Sequence, residues 1–238
     1  MTDLIEIAER KISNSNKLTI IAGLNVLEDD QQTVEVAEKL KKIIESQGNP
    51  FIFKASFDKA NRSSVDSYRG PGLEKGLEIF KELKKSGYQL ITDIHEISQV
   101  EKISEVIDII QIPAFLCRQT DLIKEACQAG KPLNIKKGQF LSPDQMKNII
   151  EKCNNFGNDQ VMLCERGTSF GYDNLIVDML GMSKLKSFNC PVIFDVTHSL
   201  QLPGQGKTSA GGRGAQAKDL AKAGVSLGIA GLFIEVHP

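Results

Sequence analysis

Leu18-Thr19-Ile20-Ile21-Ala22-Gly23 is a short apolar run, rich in β-branched residues, that gives way to a polar loop at Asn25. Runs of this kind recur at 51–55, 89–94, 107–112, 133–136, 161–164, 192–194 and 229–234. Each is nearly continuous in apolar residues instead of alternating with polar ones, the pattern of parallel strands covered on both faces. The segments between them carry helical spacing. Residues 32–46 place Val34, Ala37, Leu40, Ile43 and Ile44 on one face, and residues 73–85 do the same with Leu73, Leu77, Phe80 and Leu83. Ser142-Pro143-Asp144-Gln145 opens a further helix with an N-cap residue and a proline at the first position, and 174–185 and 216–223 fit as well. Strands alternating with helices make a parallel α/β architecture. Eight strands close a barrel, and no G-x-G-x-x-G follows the first run, so a (β/α)8 TIM barrel is favoured over a doubly wound sheet.

The 238 residues suit one such barrel, since these reach about 250 residues as one unit. The reading is a single domain over 1–238, with residues 1–17 as a short N-terminal extension, a small cap or hairpin. The sequence stops at Pro238, just after the eighth run, so the last helix of the barrel is missing and the natural chain is expected to be longer.

Twenty-nine Lys and Arg stand against 30 Asp and Glu, for a net charge of −1. That balance points away from nucleic acid and from anionic membranes, and leaves room for a local positive pocket. The five cysteines (Cys117, Cys127, Cys153, Cys164 and Cys190) form no C-x-x-C pair and are odd in number, as in a reduced cytosolic protein. Residues 1–17 lack a signal-peptide core, and no run is long enough to span a membrane. A soluble, cytoplasmic protein is expected.

The C-terminal ends of barrel strands are where chemistry is placed in this architecture. In order, that edge carries Asn25; Lys54, with Lys59, Asn61, Arg62 and Ser63 in the following loop; Asp93 and His95; Gln111; Lys136 and Lys137; Glu165 and Arg166; Asp195 and His198; and Glu235 and His237. A lysine at one strand end is ordinarily a solvated residue. Several cations around one mouth repel each other unless anions fill the space. Phosphate and carboxylate groups are the natural occupants, and this many cations suggest two phosphorylated substrates or a bisphosphate. His198, Glu235 and Asp93 are candidates for proton transfer; the alternatives are a structural histidine and carboxylates that pair the cations. Imidazole with carboxylates would also suit Zn, Fe or Mn, but the first strand supplies Asn25, a poor ligand for such ions, and Cys164 precedes Arg166 without replacing it. No metal or other cofactor is therefore expected. Gly206-Lys207-Thr208 mimics the end of a phosphate-binding P-loop, yet the pattern needs glycine at the position of Gln201. The Gly- and Ser-rich stretch 202–214 reads as a mobile loop over the mouth or as a surface loop.

Six longer strings carry a resemblance: Lys54-Ala-Ser-Phe-Asp-Lys59-Ala-Asn61-Arg62-Ser63-Ser64, Ser67-Tyr-Arg-Gly-Pro-Gly72, Gln111-Ile-Pro-Ala-Phe115, Arg118-Gln-Thr-Asp121, Phe170-Gly-Tyr-Asp-Asn174 and Ile193-Phe-Asp-Val-Thr-His198. Together, over about 18–238, the chain resembles the 3-deoxy-D-manno-octulosonate 8-phosphate synthases, also called 2-dehydro-3-deoxyphosphooctonate aldolases. The resemblance implies condensation of phosphoenolpyruvate with D-arabinose 5-phosphate, release of inorganic phosphate, and a product that feeds lipopolysaccharide synthesis. It implies that Lys59, Lys136 and Arg166 hold phosphoenolpyruvate with help from Lys54 and Gln111. Asn61, Arg62 and Ser63 engage the sugar phosphate, the last two reaching a neighbouring subunit of a homotetramer. Asn25, Asp93, His198 and Glu235 surround the reacting carbons and water. One branch of the family carries a metal-binding Cys after strand one; Asn25 places this chain with the branch that works without metal. The family's last Asp lies beyond Pro238. Two alternatives remain. One is the related synthase that uses erythrose 4-phosphate, whose loop reads K-P-R-T-S where this chain has Lys59-Ala-Asn61-Arg62-Ser63. The other is a non-catalytic barrel that binds a phosphate ligand.

Overall fold

The computed structural model describes residues 2–203 and 211–238. Eight parallel strands close into a barrel: β1 (Thr19–Leu24), β2 (Phe51–Lys54), β3 (Leu90–Asp93), β4 (Ile109–Ile112), β5 (Leu133–Lys136), β6 (Val161–Glu165), β7 (Val192–Asp195) and β8 (Gly231–Val236). Each pairs with its neighbours in sequence, and β8 returns to β1. The crossovers run through α1 (Asp30–Ser46), α2 (Leu73–Lys85), α3 (Val100–Ser104), α4 (Thr120–Gln128), α5 (Met146–Asn155), α6 (Met179–Lys186) and α7 (Ala217–Val225). A helical turn, Val196–Ser199, follows β7 directly. The (β/α)8 barrel read from the sequence is the observed fold.

Strand parity divides the apolar residues into two cores. Ile21, Ile52, Ile91, Ile109, Met162, Cys164, Ile193 and Phe233 form one buried cluster inside the barrel. Their strand neighbours, among them Phe51, Phe53, Leu90, Ile110, Leu133, Leu163 and Phe194, join the larger cluster beneath the helices. Side chains alternate across a strand, so the position two residues beyond each interior apolar residue points into the barrel as well, nearer the C-terminal mouth. Those positions hold Gly23, Lys54, Asp93, Gln111, Arg166, Asp195 and Glu235; Lys136 occupies the level on β5. The N-terminal extension is a hairpin, Ile5–Ile7 paired with Arg10–Ile12, turned by Ala8 at φ 53°. Its Ile5, Ile7 and Ile12 belong to the interior cluster and so plug the opposite end of the barrel.

Three helical expectations shift. In α1 the buried residues are Thr33, Val36, Ala37 and Ile44, while Val34 and Ile43 are exposed. Asp29 caps this helix by accepting from the Gln32 N–H at 2.8 Å, and the packed face is rotated from the one that apolar content alone suggests. Residues 174–178 are not helical: Leu175–Ile176 pairs with Thr168–Ser169 in a hairpin that buries Leu175, and α6 begins only at Met179. Ser142 and Gln145 exchange bonds (the Gln145 N–H to Ser142 Oγ at 3.3 Å, the Ser142 N–H to Gln145 Oε1 at 2.9 Å) in a turn preceding α5. Gly206-Lys207-Thr208, and most of the loop expected over the mouth, fall outside the described residues; around that gap, Gln201–Leu202 pairs with Gly211–Gly212.

Gly23 faces Lys54 in the β1–β2 register and Glu235 in the β8–β1 register. A Cβ built there would lie 1.9 Å from the Lys54 carbonyl oxygen, a clash that only strand displacement relieves. Gly23→Ala is expected to cost about 3 kcal/mol, read as a lower denaturant midpoint at unchanged m-value.

Candidate active site

At the C-terminal mouth lies a cavity of about 290 Å³, walled by Lys59, Asn61, Asp93, His95, Gln111, Phe115, Lys136, Gln139, Arg166 and His198 among others. Seven of the twelve sequence candidates line it: Lys59, Asn61, Asp93, Gln111, Lys136, Arg166 and His198. Two more stand directly behind the wall. Glu235 lies 3.4 Å from His198 Nε2 and 3.7 Å from Lys59 Nζ, and Lys54 pairs with the same carboxylate. Asn25 meets the site through its backbone, its carbonyl accepting from Lys54 Nζ at 3.1 Å. Arg62 and Ser63 do not line the cavity; Arg62 Nε donates to the Tyr68 carbonyl at 3.3 Å, within its own loop.

His198 is held on two sides. The Asp195 carboxylate accepts the His198 backbone N–H at 2.9 Å and lies 2.7 Å from the ring Nδ1. This favours the tautomer with hydrogen on Nδ1 and leaves Nε2 free to take a proton; Glu235, 3.4 Å away, stabilises the imidazolium once it forms. Asp195 is fully buried and also pairs with Lys136, whose ammonium sits 3.7 Å above the Phe233 ring. On the other wall Asp93 bonds Ser56 and lies 3.1 Å from His95 Nε2. Gln111 Oε1 accepts from Asn134 Nδ2 at 3.1 Å, which turns the Gln111 amide NH2 toward the cavity. Arg166 donates to Gln201 Oε1 at 3.1 Å through one Nη, while Nη1, also buried, finds no partner among the described residues.

Burial sets the charge states. It lowers Lys54 to about 8 against the pull of Glu235, because that carboxylate is shared with Lys59 and His198 and does not fully repay the lost hydration. Burial opposes ionisation of Glu235 too, but His198 whenever it carries a proton, and Lys54 and Lys59 throughout, hold it below the usual carboxylate range. For Asp195, burial is again outweighed, here by the His198 ring, which hydrogen-bonds the carboxylate and adds a charge when protonated, and by Lys136. At Asp93 it is overcome by Lys59, His95 and Lys54. Burial lowers His198 against Asp195 and Glu235, which favours neutral imidazole, a group able to take up a proton. Lys59 is raised: Glu235 and Asp93 outweigh its burial.

The sequence reading passed over Asp195 as a site residue, although it ends β7 three residues before His198, a spacing that fits an N-cap and its helical turn. Gln139, in a turn after β5, and Phe115, in the helical turn Ala114–Leu116 after β4, also line the cavity, and strand parity gives no guide to either.

A barrel whose polar wall presents Lys59, Lys136 and Arg166 around an oriented histidine is an enzyme of the (β/α)8 class, with its pocket at the catalytic end of the strands. Residues 4–238 match the model of the DAHP synthetase I family, and the chain belongs to that family. Among curated proteins, one from Pseudomonas syringae pv. syringae (strain B728a) is 54% identical over 236 residues, 99% of this chain and 84% of the relative. One from Pseudomonas fluorescens (strain SBW25) is 55% identical over the same shares, and one from Ectopseudomonas mendocina (strain ymp) is 54% identical. All three are named 2-dehydro-3-deoxyphosphooctonate aldolase. No helix among the described residues is long and apolar enough to cross a membrane.

Inorganic phosphate titrated calorimetrically is expected to bind this chain, and Arg166→Ala to weaken it by about 10- to 100-fold, the worth of a charge-assisted hydrogen bond.

Proposed function

We propose that this chain condenses phosphoenolpyruvate with D-arabinose 5-phosphate and water, giving 3-deoxy-D-manno-octulosonate 8-phosphate and inorganic phosphate. The observation that carries the reading is the cavity wall itself: Lys59, Lys136 and Arg166 converge on one volume beside a histidine held between Asp195 and Glu235. The name shared by the relatives supports it, as does the loop Lys59-Ala-Asn61-Arg62-Ser63, which differs from the K-P-R-T-S expected for an erythrose 4-phosphate enzyme.

In this reading Lys59, Lys136 and Arg166 receive the phosphate and carboxylate of phosphoenolpyruvate, with Lys54 behind Lys59 and the Gln111 NH2 as a further donor. Asn61 faces the aldose. Arg62 and Ser63, outside this cavity, reach the sugar phosphate of a neighbouring subunit in a homotetramer. C3 of the enol attacks the aldehyde carbon, forming the new C–C bond, while water adds to C2, where positive charge develops. One proton of that water goes to the aldehyde oxygen, and the Nε2 lone pair of His198 is placed to relay it. The resulting C2 centre collapses by breaking its bond to the phosphate oxygen, and the hydroxyl proton leaves with phosphate. Glu235 and Asp93, held ionised by their cations, stabilise charge at C2; the cations act mainly by orienting two anionic reactants. Asn25, an amide and thus a poor ligand for first-row metals, positions water or aldehyde in a reaction run without metal. The enzyme is placed in the cytoplasm, its product serving lipopolysaccharide synthesis.

The test is phosphate release from phosphoenolpyruvate with each aldose, with and without a strong chelator. Release that depends on arabinose 5-phosphate and survives chelation is expected. Preference for erythrose 4-phosphate would select the related synthase, loss on chelation would overturn the role of Asn25, and phosphoenolpyruvate binding without turnover would leave a binding protein. Lys54 is protonated below about pH 8 and neutral above it. As pH rises through that value Glu235 loses a compensating charge, so kcat/KM is expected to fall with an alkaline midpoint near 8.

A further inference from the structure

Behind the cavity wall lies a second ion pair to which the mechanism assigns no part. Lys137 follows Lys136 and Glu165 precedes Arg166, so each is adjacent to a cation of the wall but points away from the cavity. Both are buried, Lys137 at 0% and Glu165 at 1% exposure. Their charged atoms lie 3.6 Å apart. Glu165 Oε1 accepts the backbone N–H of Arg166 at 3.0 Å and of Gly167 at 2.6 Å, gripping the peptide units on either side of the arginine Cα. Lys137 donates to Thr168 Oγ1 at 3.0 Å and to the Leu141 carbonyl at 3.3 Å, and its own N–H bonds the Cys164 carbonyl at 2.8 Å. The pair thus ties the end of β5, the loop after it, the end of β6 and the hairpin at Thr168 into one unit.

We infer that Lys137 and Glu165 are positioning residues that set the distance and direction between Lys136 and Arg166, and so tune the site for the phosphate and carboxylate of phosphoenolpyruvate. The inference rests on the function proposed above and adds two residues to it. Gly167, at φ +92°, lets the chain turn sharply beyond the gripped arginine, and no other residue type takes that backbone without strain. A carboxylate suits the place because it accepts two N–H groups with one oxygen and faces an ammonium with the other. Glutamine, with one acceptor and one NH2, cannot serve both sides. Burial pushes the Glu165 carboxyl up, against Lys137 and the two N–H bonds, so the group depends on these partners to stay charged.

The experiment compares wild type, Glu165→Gln and the double variant Lys137→Met/Glu165→Leu. The double variant removes both charges together and leaves no unpaired buried ion, which favours folding where the single variant fails. Phosphoenolpyruvate binding is measured calorimetrically without aldose, and KM for each substrate is measured at saturation of the other. The expected result is about a tenfold rise in the Kd and KM for phosphoenolpyruvate in both variants, with kcat and the KM for arabinose 5-phosphate within about twofold of wild type. Unchanged phosphoenolpyruvate affinity in the folded double variant would overturn the inference. So would equal losses for both substrates, the mark of a general structural role. If the wild type binds no phosphoenolpyruvate, the functional reading fails together with this one; if it binds and the variants bind equally well, this inference alone fails.

Discussion

The absence of a side chain at Gly23 lets β1 and β2 approach closely, in the register from which Lys54 and Glu235 pair across β1. The two residues lie on strands that flank β1 on either side, in the register where Gly23 sits between them. A side chain there would collide with the β2 backbone, its Cβ 1.9 Å from the Lys54 carbonyl oxygen, and push away the strand that carries Lys54. With the strands this close, Glu235 reaches Lys54, Lys59 and His198 at once. One carboxylate then orders three groups of the site. Without that contact Lys54 would be a buried ammonium bonded only to carbonyl oxygens, a cost of several kcal/mol.

The same constraint revises the argument from charge. Counting cations at strand ends suggested that anionic substrates are needed to neutralise them. The structure shows Lys54, Lys59 and Lys136 already interleaved with Asp93, Asp195 and Glu235, so most of the neutralisation is internal. What remains for a ligand is narrower and better defined. Among the described residues it is the buried Nη1 of Arg166, the inward NH2 of Gln111 and the face of Lys59 toward the cavity. A site built in this way is preorganised: its donors are held by carboxylates before any substrate arrives, and little ordering is left to be done on binding.

The barrel was legible because its signal is collective. Eight apolar runs at suitable spacing survive errors of one or two residues at each end, and the strand-end residues follow from them. Seven of the twelve candidate residues line the cavity for that reason. What escaped depends on information that strand spacing does not hold. Asp195 is fully buried and was read only as a strand end, because its grip on His198 appears only once the helical turn after β7 is formed. Arg62 and Ser63 belong to a loop whose path is set by bonds such as that from Arg62 to the Tyr68 carbonyl. The face of α1 was misjudged because Thr33 packs inward, its hydroxyl satisfied by the Asp29 carbonyl at 2.7 Å, and so behaves as a core residue despite its polarity.

Adjacent residues of like or opposite charge at a strand end show where such reading stops and structure begins. Lys136-Lys137 and Glu165-Arg166 are indistinguishable as strings from two pairs of pocket residues. Parity separates them: one member of each pair faces the interior and the cavity, the other faces the packing between β5, β6 and their loops. A shift of one residue in the register of either strand would exchange the two roles, placing Lys137 in the cavity and burying Lys136 behind it. The register is held by the apolar alternation below, with Ile135 and Leu163 in the outer core and Met162 and Cys164 in the inner one. The choice of which lysine faces the cavity is therefore made by the hydrophobic residues of the strands and not by the charges themselves.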